Sequence, residues 1–378
     1  MDAGGGGMDP AVRLERAIAR LDALLERQVN AILHHPRFQH LEAAWRGLDY
    51  LTRQAAGAEN VKVRVLNAGW RELARDLEGA IEFDQSQLFI KVYSEQFGMP
   101  GGEPFGLLVG DYAIRHRPAD MAALGGVAQV AAAAFAPFVA AAHPAFFALD
   151  SFQELSLPLD LAALFRHQAA EYLAWQSLRQ SADSRFVGLT LPRILLRLPY
   201  ADDGARDQPF RFVEDVTAAD GGGYLWGNAA YAFAAVAIQA FAASGWLADL
   251  RGVHRDERSA APVAGGGLVG GLAAADFATD RPGLAPRYAT EVFIGDYREK
   301  ELSELGFIPL CHCQDTPWPA FYSSPSVQAP AQSHDSPAAR ANARLSAMLH
   351  YILCAARFAH YLKIIGREKV GAFARAAE

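Results

Sequence analysis

The most regular pattern in the chain is a stripe of apolar residues near its beginning. The stripe advances by steps of three and four positions and is broken only by one glutamine; its members are Leu14, Ile18, Leu21, Leu25 and Ile32. Because this spacing places side chains on one face of a helix, residues 11–33 are predicted to form an amphipathic helix. Its apolar face can pack either on the chain's own domain or on a helix of a partner protein.

Further along, short apolar runs alternate with helical stripes. Strands are predicted at 61–66, 105–112, 185–191, 247–253, 290–295 and 307–311. Helices are predicted between them, and a long helix is predicted at about 338–365. Strands that alternate with helices indicate the α/β class, here a mixed sheet flanked by helices, with long helices towards the N- and C-terminal ends.

One alanine-rich run, 121–142, has about the length of a membrane span. Alanine is only weakly apolar, however, and Gly125, Gly126, Gln129 and Pro137 interrupt the run. No aromatic belt or basic flank frames it. The run is therefore predicted to be a buried helix of a protein that does not insert into membranes.

The length of 378 residues exceeds what one hydrophobic core usually covers, so two packed subdomains are expected. A polar, glycine-rich stretch at 201–222 is the candidate seam between them. The predicted units are a helical N-terminal arm at 1–56, a first α/β subdomain at 57–200, a second at 201–335 and a long C-terminal helix at 336–378.

Composition and charge narrow the function classes. The formal net charge is −7 and no basic patch stands out in the sequence, which argues against nucleic acid or an anionic membrane as a partner. The three cysteines form an odd set, and the N-terminus lacks the basic and apolar regions of a secretory signal. These features favour a location of the protein in the reducing bacterial cytoplasm.

Candidate chemistry is sparse. The run 265–270, GGGLVG, formally matches a dinucleotide-binding loop, but a loop precedes it where a strand is required. Cys311, His312 and Cys313 are too closely spaced for an ordinary zinc site and are expected to be buried strand residues. No nucleophile elbow or metalloprotease motif is present. We therefore predict a protein that is not an enzyme, with no catalytic residue, cofactor or metal.

Ten short motifs, in contrast, are dense and collinear. They are 32–38 (ILHHPRF), 41–48 (LEAAWRGL), 83–86 (FDQS), 101–106 (GGEPFG), 109–112 (VGDY), 183–193 (DSRFVGLTLPR), 198–200 (LPY), 224–231 (YLWGNAAY), 306–310 (GFIPL) and 357–363 (RFAHYLK). Together they closely resemble the large sheath subunit of the bacterial type VI secretion system, the TssC (VipB) family. The resemblance runs from about residue 20 to residue 375.

The resemblance implies a fold like that of contractile phage-tail sheaths and a structural role. In that family, the large subunit pairs with a small sheath subunit (TssB or VipA), and the pairs assemble helically around an inner tube protein above a baseplate. Neighbouring protomers exchange strands, and contraction drives the tube and its effectors outward. The alternative is a truncated or accessory paralogue that binds sheath or baseplate components without polymerising.

The family signature also supplies candidate structural or interface residues. They are Trp45, Arg46, Gly47, Asp111, Tyr112, Gly188, Pro192, Arg193, Trp226, Gly227, Asn228, Tyr231, Arg357, Phe358, His360 and Tyr361. The large aromatic residues Trp45, Trp226 and Tyr231 are expected to be anchors on helix faces, the glycines to allow close backbone approach, and the arginines to be paired or stacked. Each of them can serve the fold or a contact between subunits.

Two parts of the family pattern have no counterpart in this sequence. Family members usually carry an N-terminal segment with a helix that a disassembly ATPase of the AAA+ class recognises. They also continue past the residue corresponding to Gly371 into strands that take part in strand exchange. From the sequence we therefore expect neither recognition by the ATPase nor polymerisation through residues 1–378 alone.

Overall fold

A computed structural model describes residues 9–99, 101–202, 210–216, 223–259, 261–275, 288–313, 316–330 and 336–373. The helices in these ranges are α1 (Pro10–Leu33), α2 (Pro36–Ala55), α3 (Trp70–Gly79), α4 (Gln87–Phe89), α5 (Glu95–Phe97), α6 (Pro118–Ala134), α7 (Leu161–Leu164), α8 (Ala170–Gln180), α9 (Ala229–Ser244), α10 (Asp296–Glu304), α11 (Pro337–Ser346) and α12 (Leu349–Phe373). The first helix agrees closely with the predicted range 11–33, and Asp9 caps it by accepting a hydrogen bond from the Ala11 N–H at 3.1 Å.

The strands form one main sheet and two small ribbons. They are β1 (Leu108–Ile114), β2 (Phe138–Ala142), β3 (Val187–Leu191), β4 (Ile194–Arg197), β5 (Leu225–Gly227), β6 (His254–Arg255), β7 (Pro262–Val263), β8 (Ile308–His312) and β9 (Pro319–Phe321). The five-stranded sheet has the order β1-β2-β3-β8-β9, parallel up to β8 and antiparallel between β8 and β9. The predicted mixed sheet is confirmed.

The sheet separates two parts of the hydrophobic core. Along β2, Phe138, Ala140 and Ala142 face a cluster built on α6 and α8, whereas Val139 faces a cluster built on α9. Successive side chains of a strand point to opposite faces, so both faces of the sheet are buried under helices. The division into subdomains at residue 200 stays a prediction; strands from both sides of it enter the main sheet.

The alanine-rich run does not form a single helix. Helix α6 ends at Ala134, Phe135 adopts a left-handed conformation with φ 49°, and β2 follows Pro137 as an inner strand of the sheet. Proline cannot continue the helix, and the small side chains after it fit between two helical layers. Among the described residues, no helix combines the length and hydropathy that a bilayer crossing requires.

Four further predictions are wrong. Residues 61–66 and 290–295 are not strands: the first stretch is mostly exposed and pairs with no strand among the described residues, and the second makes only an isolated bridge at Thr290. The long C-terminal helix is divided at Ala347–Met348, where Met348 bridges to Pro325. The 247–253 stretch is also irregular, and the short β6 begins after it.

Candidate assembly surface

The first helix presents an apolar face to solvent. No residue of its 24 is buried, and Leu14 and Leu21 are 63% and 60% exposed. From Leu14 the apolar positions advance by alternating steps of four and three, which is the repeat of a coiled-coil seam. A helix of this kind gains most of its stability from packing, so the exposed seam marks a surface suited to another helix.

The hydrogen bonds and ion pairs that tie α1 to the described body come from its last turns. The Asn30 Oδ1 accepts a hydrogen bond from the Asp215 N–H at 2.9 Å, and the His34 Nε2 lies 3.4 Å from a Glu214 carboxylate oxygen. By contrast, residues 9–21 are exposed throughout. The end of α1 is therefore fixed, and its first half is available for contact.

A buried ion-pair network holds α2 against β4. The Arg197 guanidinium donates to Glu42 at 2.7 Å and to Glu214 at 3.0 Å, and its carbon lies 4.4 Å from the centre of the Tyr200 ring. Burial disfavours the charge on Glu42, but hydrogen bonds from Arg197 and Arg46 outweigh it and lower the pKa of this carboxyl. Each buried charge thus has an opposite partner.

Sequence reasoning missed this network. Glu42 and Arg46 are four positions apart on α2, which the sequence does show, but Arg197 and Glu214 come from a strand and a polar stretch more than 150 residues away. Arg46 was singled out, and it donates to Glu42 at 2.8 Å and to the Tyr200 hydroxyl at 3.1 Å. Arg46 is therefore paired with a carboxylate of its own helix.

Several signature residues meet where α2 crosses α9. A Cβ added at Gly47 would lie 2.3 Å from the Tyr231 ring, so only glycine allows this approach. Asn228 caps α9 by accepting from the Ala230 N–H at 2.8 Å, and its amide donates to the Gly110 and Tyr112 carbonyls of β1. These contacts join α2, α9 and β1 into one junction.

The two signature residues of β1 are also part of that junction. Tyr112 donates its hydroxyl hydrogen to the Ala68 carbonyl at 2.6 Å, and burial raises its pKa to about 12. Burial raises the pKa of Asp111 as well, although hydrogen bonds from Tyr231 and Asn228 act in the opposite direction. These hydrogen bonds hold β1 against the start of α9.

The signature residues near β3 lie apart from this junction. Arg193 makes a two-pronged ion pair with the buried Glu291, with both N–O distances 2.6 Å, and Pro192 follows β3 through a cis peptide bond. A Cβ at Gly188 would lie 2.7 Å from Leu349 of α12, and one at Gly227 would lie 2.3 Å from Leu196. These glycines permit close packing of neighbouring elements.

The last signature motif lies on α12 and has two faces. His360 is buried, and its Nε2 lies 2.9 Å from the Ala134 carbonyl. Arg357 stacks 4.8 Å from the rings of both Phe241 and Tyr361. The opposite side is apolar and exposed, with Tyr351, Phe358, Tyr361, Leu362 and Ile365 each at least 42% exposed. A second apolar surface therefore lies on α12.

Trp45 is not a core anchor. Its side chain is 66% exposed on α2, whereas the Tyr231 side chain is only 8% exposed. Trp226 is partly buried and belongs to β5, not to a helix. The heavily buried tryptophan is Trp175 of α8, which stacks on Phe307 with ring centres 5.2 Å apart. Trp45 is therefore an exposed apolar side chain of α2.

The candidate metal motif lies in the core, and the candidate nucleotide motif lies in a turn. Cys311 and Cys313 are buried at and just after β8, and burial raises the pKa of the Cys311 thiol well above its usual range. Gly265 and Gly266 lie in a turn with positive φ. In the part of the chain that the structure describes, no three His, Cys, Asp or Glu side chains are grouped so that they could hold a metal ion.

Comparison with known proteins gives consistent matches along the chain. The VipB family, described as EvpB/VC_A0108, tail sheath N-terminal domain, matches residues 15–328, and its companion, the tail sheath gpW/gp25-like domain, matches residues 338–378. The type VI secretion system sheath protein TssC1 of Pseudomonas aeruginosa is 45% identical over 370 residues, which cover 97% of this chain and 71% of that protein.

Proposed function

The chain belongs to the VipB family of type VI secretion tail sheath proteins, and we propose that it pairs with the small sheath subunit through α1. As a family member it is a structural subunit of the contractile sheath. The proposal adds the route of assembly: pairs of large and small subunits stack helically around an inner tube in the bacterial cytoplasm, and the stack ends on a baseplate. Growth of this kind requires interfaces that do not close on themselves.

The observation that carries the pairing is the exposed seam of α1. A helical stripe with residues such as Leu14 and Leu21 more than half exposed is unfavourable in water and is covered once a partner helix packs on it. Burial of each such side chain contributes about 1.5–3 kcal/mol.

Charge at the flanks of the seam favours a different protein over a second copy of this chain. The residues that follow seam positions 14, 21 and 28 form one flank and are Glu15, Asp22 and Val29. The other flank carries Ala17, Leu24 and Ala31. Two antiparallel copies centred on Asp22 would place its carboxylate opposite the same carboxylate and Glu15 opposite Val29, and two parallel copies would place the carboxylates opposite apolar residues. A partner helix with Lys or Arg at these flanks gains ion pairs that a second copy cannot supply.

The rest of the structure supports a structural subunit that transmits force. The ion pairs of Arg197 and Arg193 and the glycine-mediated crossings connect elements distant in sequence, as a body that moves as a unit between two lattice packings requires. In this proposal the energy of contraction comes from exchanging one set of subunit contacts for another.

The test is co-purification of the chain with the small subunit encoded beside it. The variant Leu21→Glu with Leu25→Glu places charges in the seam, and we expect it to lose the small subunit. The control is Ala19→Glu with Ala23→Glu, which adds the same charges at the same spacing on the outer face of α1. Retention of the small subunit by the seam variant, or its loss from both variants, would refute pairing through α1.

A further inference from the structure

A cleft lined by arginines lies beside α11, on a different part of the molecule from α1. It has a volume of about 510 Å³ and is bordered by α11, the start of α12 and the segment around Arg251. Its charged residues are Arg251, Arg340 and Arg344, and the apolar residues used below are Leu345 and Met348. The volume falls within the range of about 300–1,000 Å³ typical of ligand sites.

The three guanidinium groups have no protein partner among the described residues. No hydrogen bond or ion pair joins the side chain of Arg251, Arg340 or Arg344 to any residue that the structure describes, and all three are exposed. Elsewhere in the fold Arg193, Arg197 and Arg298 are paired with carboxylates. In a chain with a net charge of −7, three neighbouring arginines without a carboxylate partner in the described ranges are a local exception.

The geometry of the arginines suits carboxylates. Arg340 and Arg344 are four positions apart on α11, so they lie on one face with about 5–6 Å between their Cβ atoms. Arg251 borders the same cleft from a different segment. A guanidinium binds a carboxylate through two parallel hydrogen bonds, so this set can hold two or three carboxylates that are close together in one ligand.

The remaining lining favours a peptide over a nucleic acid or a free anion. Leu345 and Met348 offer apolar contact to the methylene groups of glutamate side chains, which an inorganic anion does not use. Among the described residues of the lining, His350 carries the one aromatic ring, and its Nδ1 lies 2.9 Å from the Ser324 hydroxyl. This part of the lining lacks the stacking platforms that single-stranded nucleic acids require.

We propose that this cleft binds an acidic peptide segment, one that presents at least two neighbouring Asp or Glu side chains beside an aliphatic residue. The proposal goes beyond the pairing through α1 and does not depend on it, because no residue of α1 borders the cleft. It assigns to α11 a recognition role for an acidic segment of another protein.

The experiment is fluorescence anisotropy with the full chain and a labelled peptide, Glu-Glu-Leu-Glu-Glu-Leu, and with the same peptide carrying Gln in place of Glu. The variant Arg340→Gln with Arg344→Gln removes two guanidinium groups. The matched control, Arg16→Gln with Arg20→Gln, removes two exposed arginines at the same spacing from the outer face of α1. Thermal melting verifies that both variants remain folded; their exposed positions lead us to expect unchanged melting temperatures.

We expect the acidic peptide to bind, the Gln peptide to bind at least about tenfold more weakly, and the cleft variant to lose at least about tenfold in affinity, since charge-assisted hydrogen bonds are lost. The control variant should bind like the original chain. Equal binding of the two peptides, or equal losses in the two variants, would overturn the proposal. Displacement of the peptide by inorganic phosphate at equal concentration would also overturn it, because the cleft would then recognise a free anion.

Discussion

At the scale of single residues, one close approach between helices α2 and α9 depends on a glycine. Gly47→Ala places a methyl group within 2.3 Å of the Tyr231 ring, which is itself fixed between α2 and α9. We expect the free energy of unfolding to fall by about 1–3 kcal/mol through overpacking. The control is Gly79→Ala at the end of α3, where nothing lies within 4 Å, and it should be neutral or slightly stabilising. Equal denaturation midpoints of both variants would contradict this.

Substitution of two tryptophans should distinguish a core position from a surface position. Trp175 is 1% exposed, and Trp175→Ala should cost about 3–5 kcal/mol. Trp45 is 66% exposed, so Trp45→Ala should leave the melting temperature nearly unchanged. If Trp45 contributes to an interface, its variant should instead weaken co-purification with the small subunit. A large loss of thermal stability in Trp45→Ala would show that the indole is covered within the free chain.

Partly buried histidines predict a loss of stability in acid. Burial, reinforced by Arg115 at His143 and by Arg251 at His350, lowers both pKa values to about 4 from 6.5. Between these values the unfolded chain binds more protons, so stability should fall as the pH falls from about 6.5 towards about 4. Melting temperatures at a series of pH values measure this, and His350→Gln should flatten the slope. An unchanged slope would contradict the assignment to His350.

At the scale of elements, the network around Arg197 decides how α2 sits on β4. Arg197→Met leaves the buried Glu214 without its guanidinium partner and leaves Glu42 with Arg46 alone. We expect a loss of about 3–5 kcal/mol in unfolding free energy. Arg53→Met removes an exposed pair with Asp49 on the same helix and should cost less than about 0.5 kcal/mol. Similar losses in both variants would refute the special role of the buried network.

Elements with a clear period were predictable, and those defined by their neighbours were not. The stripe of α1 gave its bounds within a residue, since an amphipathic pattern is a local property. Strand β2 was hidden in the alanine run because a strand buried on both faces lacks alternation. Residues 61–66 alternate but have no partner strand, and the pattern alone cannot supply one.

For the candidate assembly surface too, the sequence pattern predicted the elements but not which side chains are exposed. The apolar face of α1 could be found from the sequence, although its exposure could not, because the pattern fits both a buried and a partnered helix. Burial of Tyr231 followed expectation and exposure of Trp45 did not, since the same residue type serves core and interface. The arginine cleft joins residues 251 and 340, whose proximity only the fold reveals.

At the scale of the whole molecule, a rigid, doubly covered sheet carries two exposed apolar helical surfaces, on α1 and on α12. Their placement on long helices suits a subunit whose contacts are repeated along a lattice. In the proposed assembly, α1 is the binding helix for the small subunit.

Hydrogen–deuterium exchange of the chain alone and in complex with the small subunit tests this claim most directly. The amides of residues 11–33 should exchange rapidly in the free chain, since little packing protects α1, and should be protected in the complex. The strands β2 and β3, already buried, should be protected in both states and serve as the internal control. Equal exchange of residues 11–33 in the two states, in a complex that is fully formed, would contradict the account.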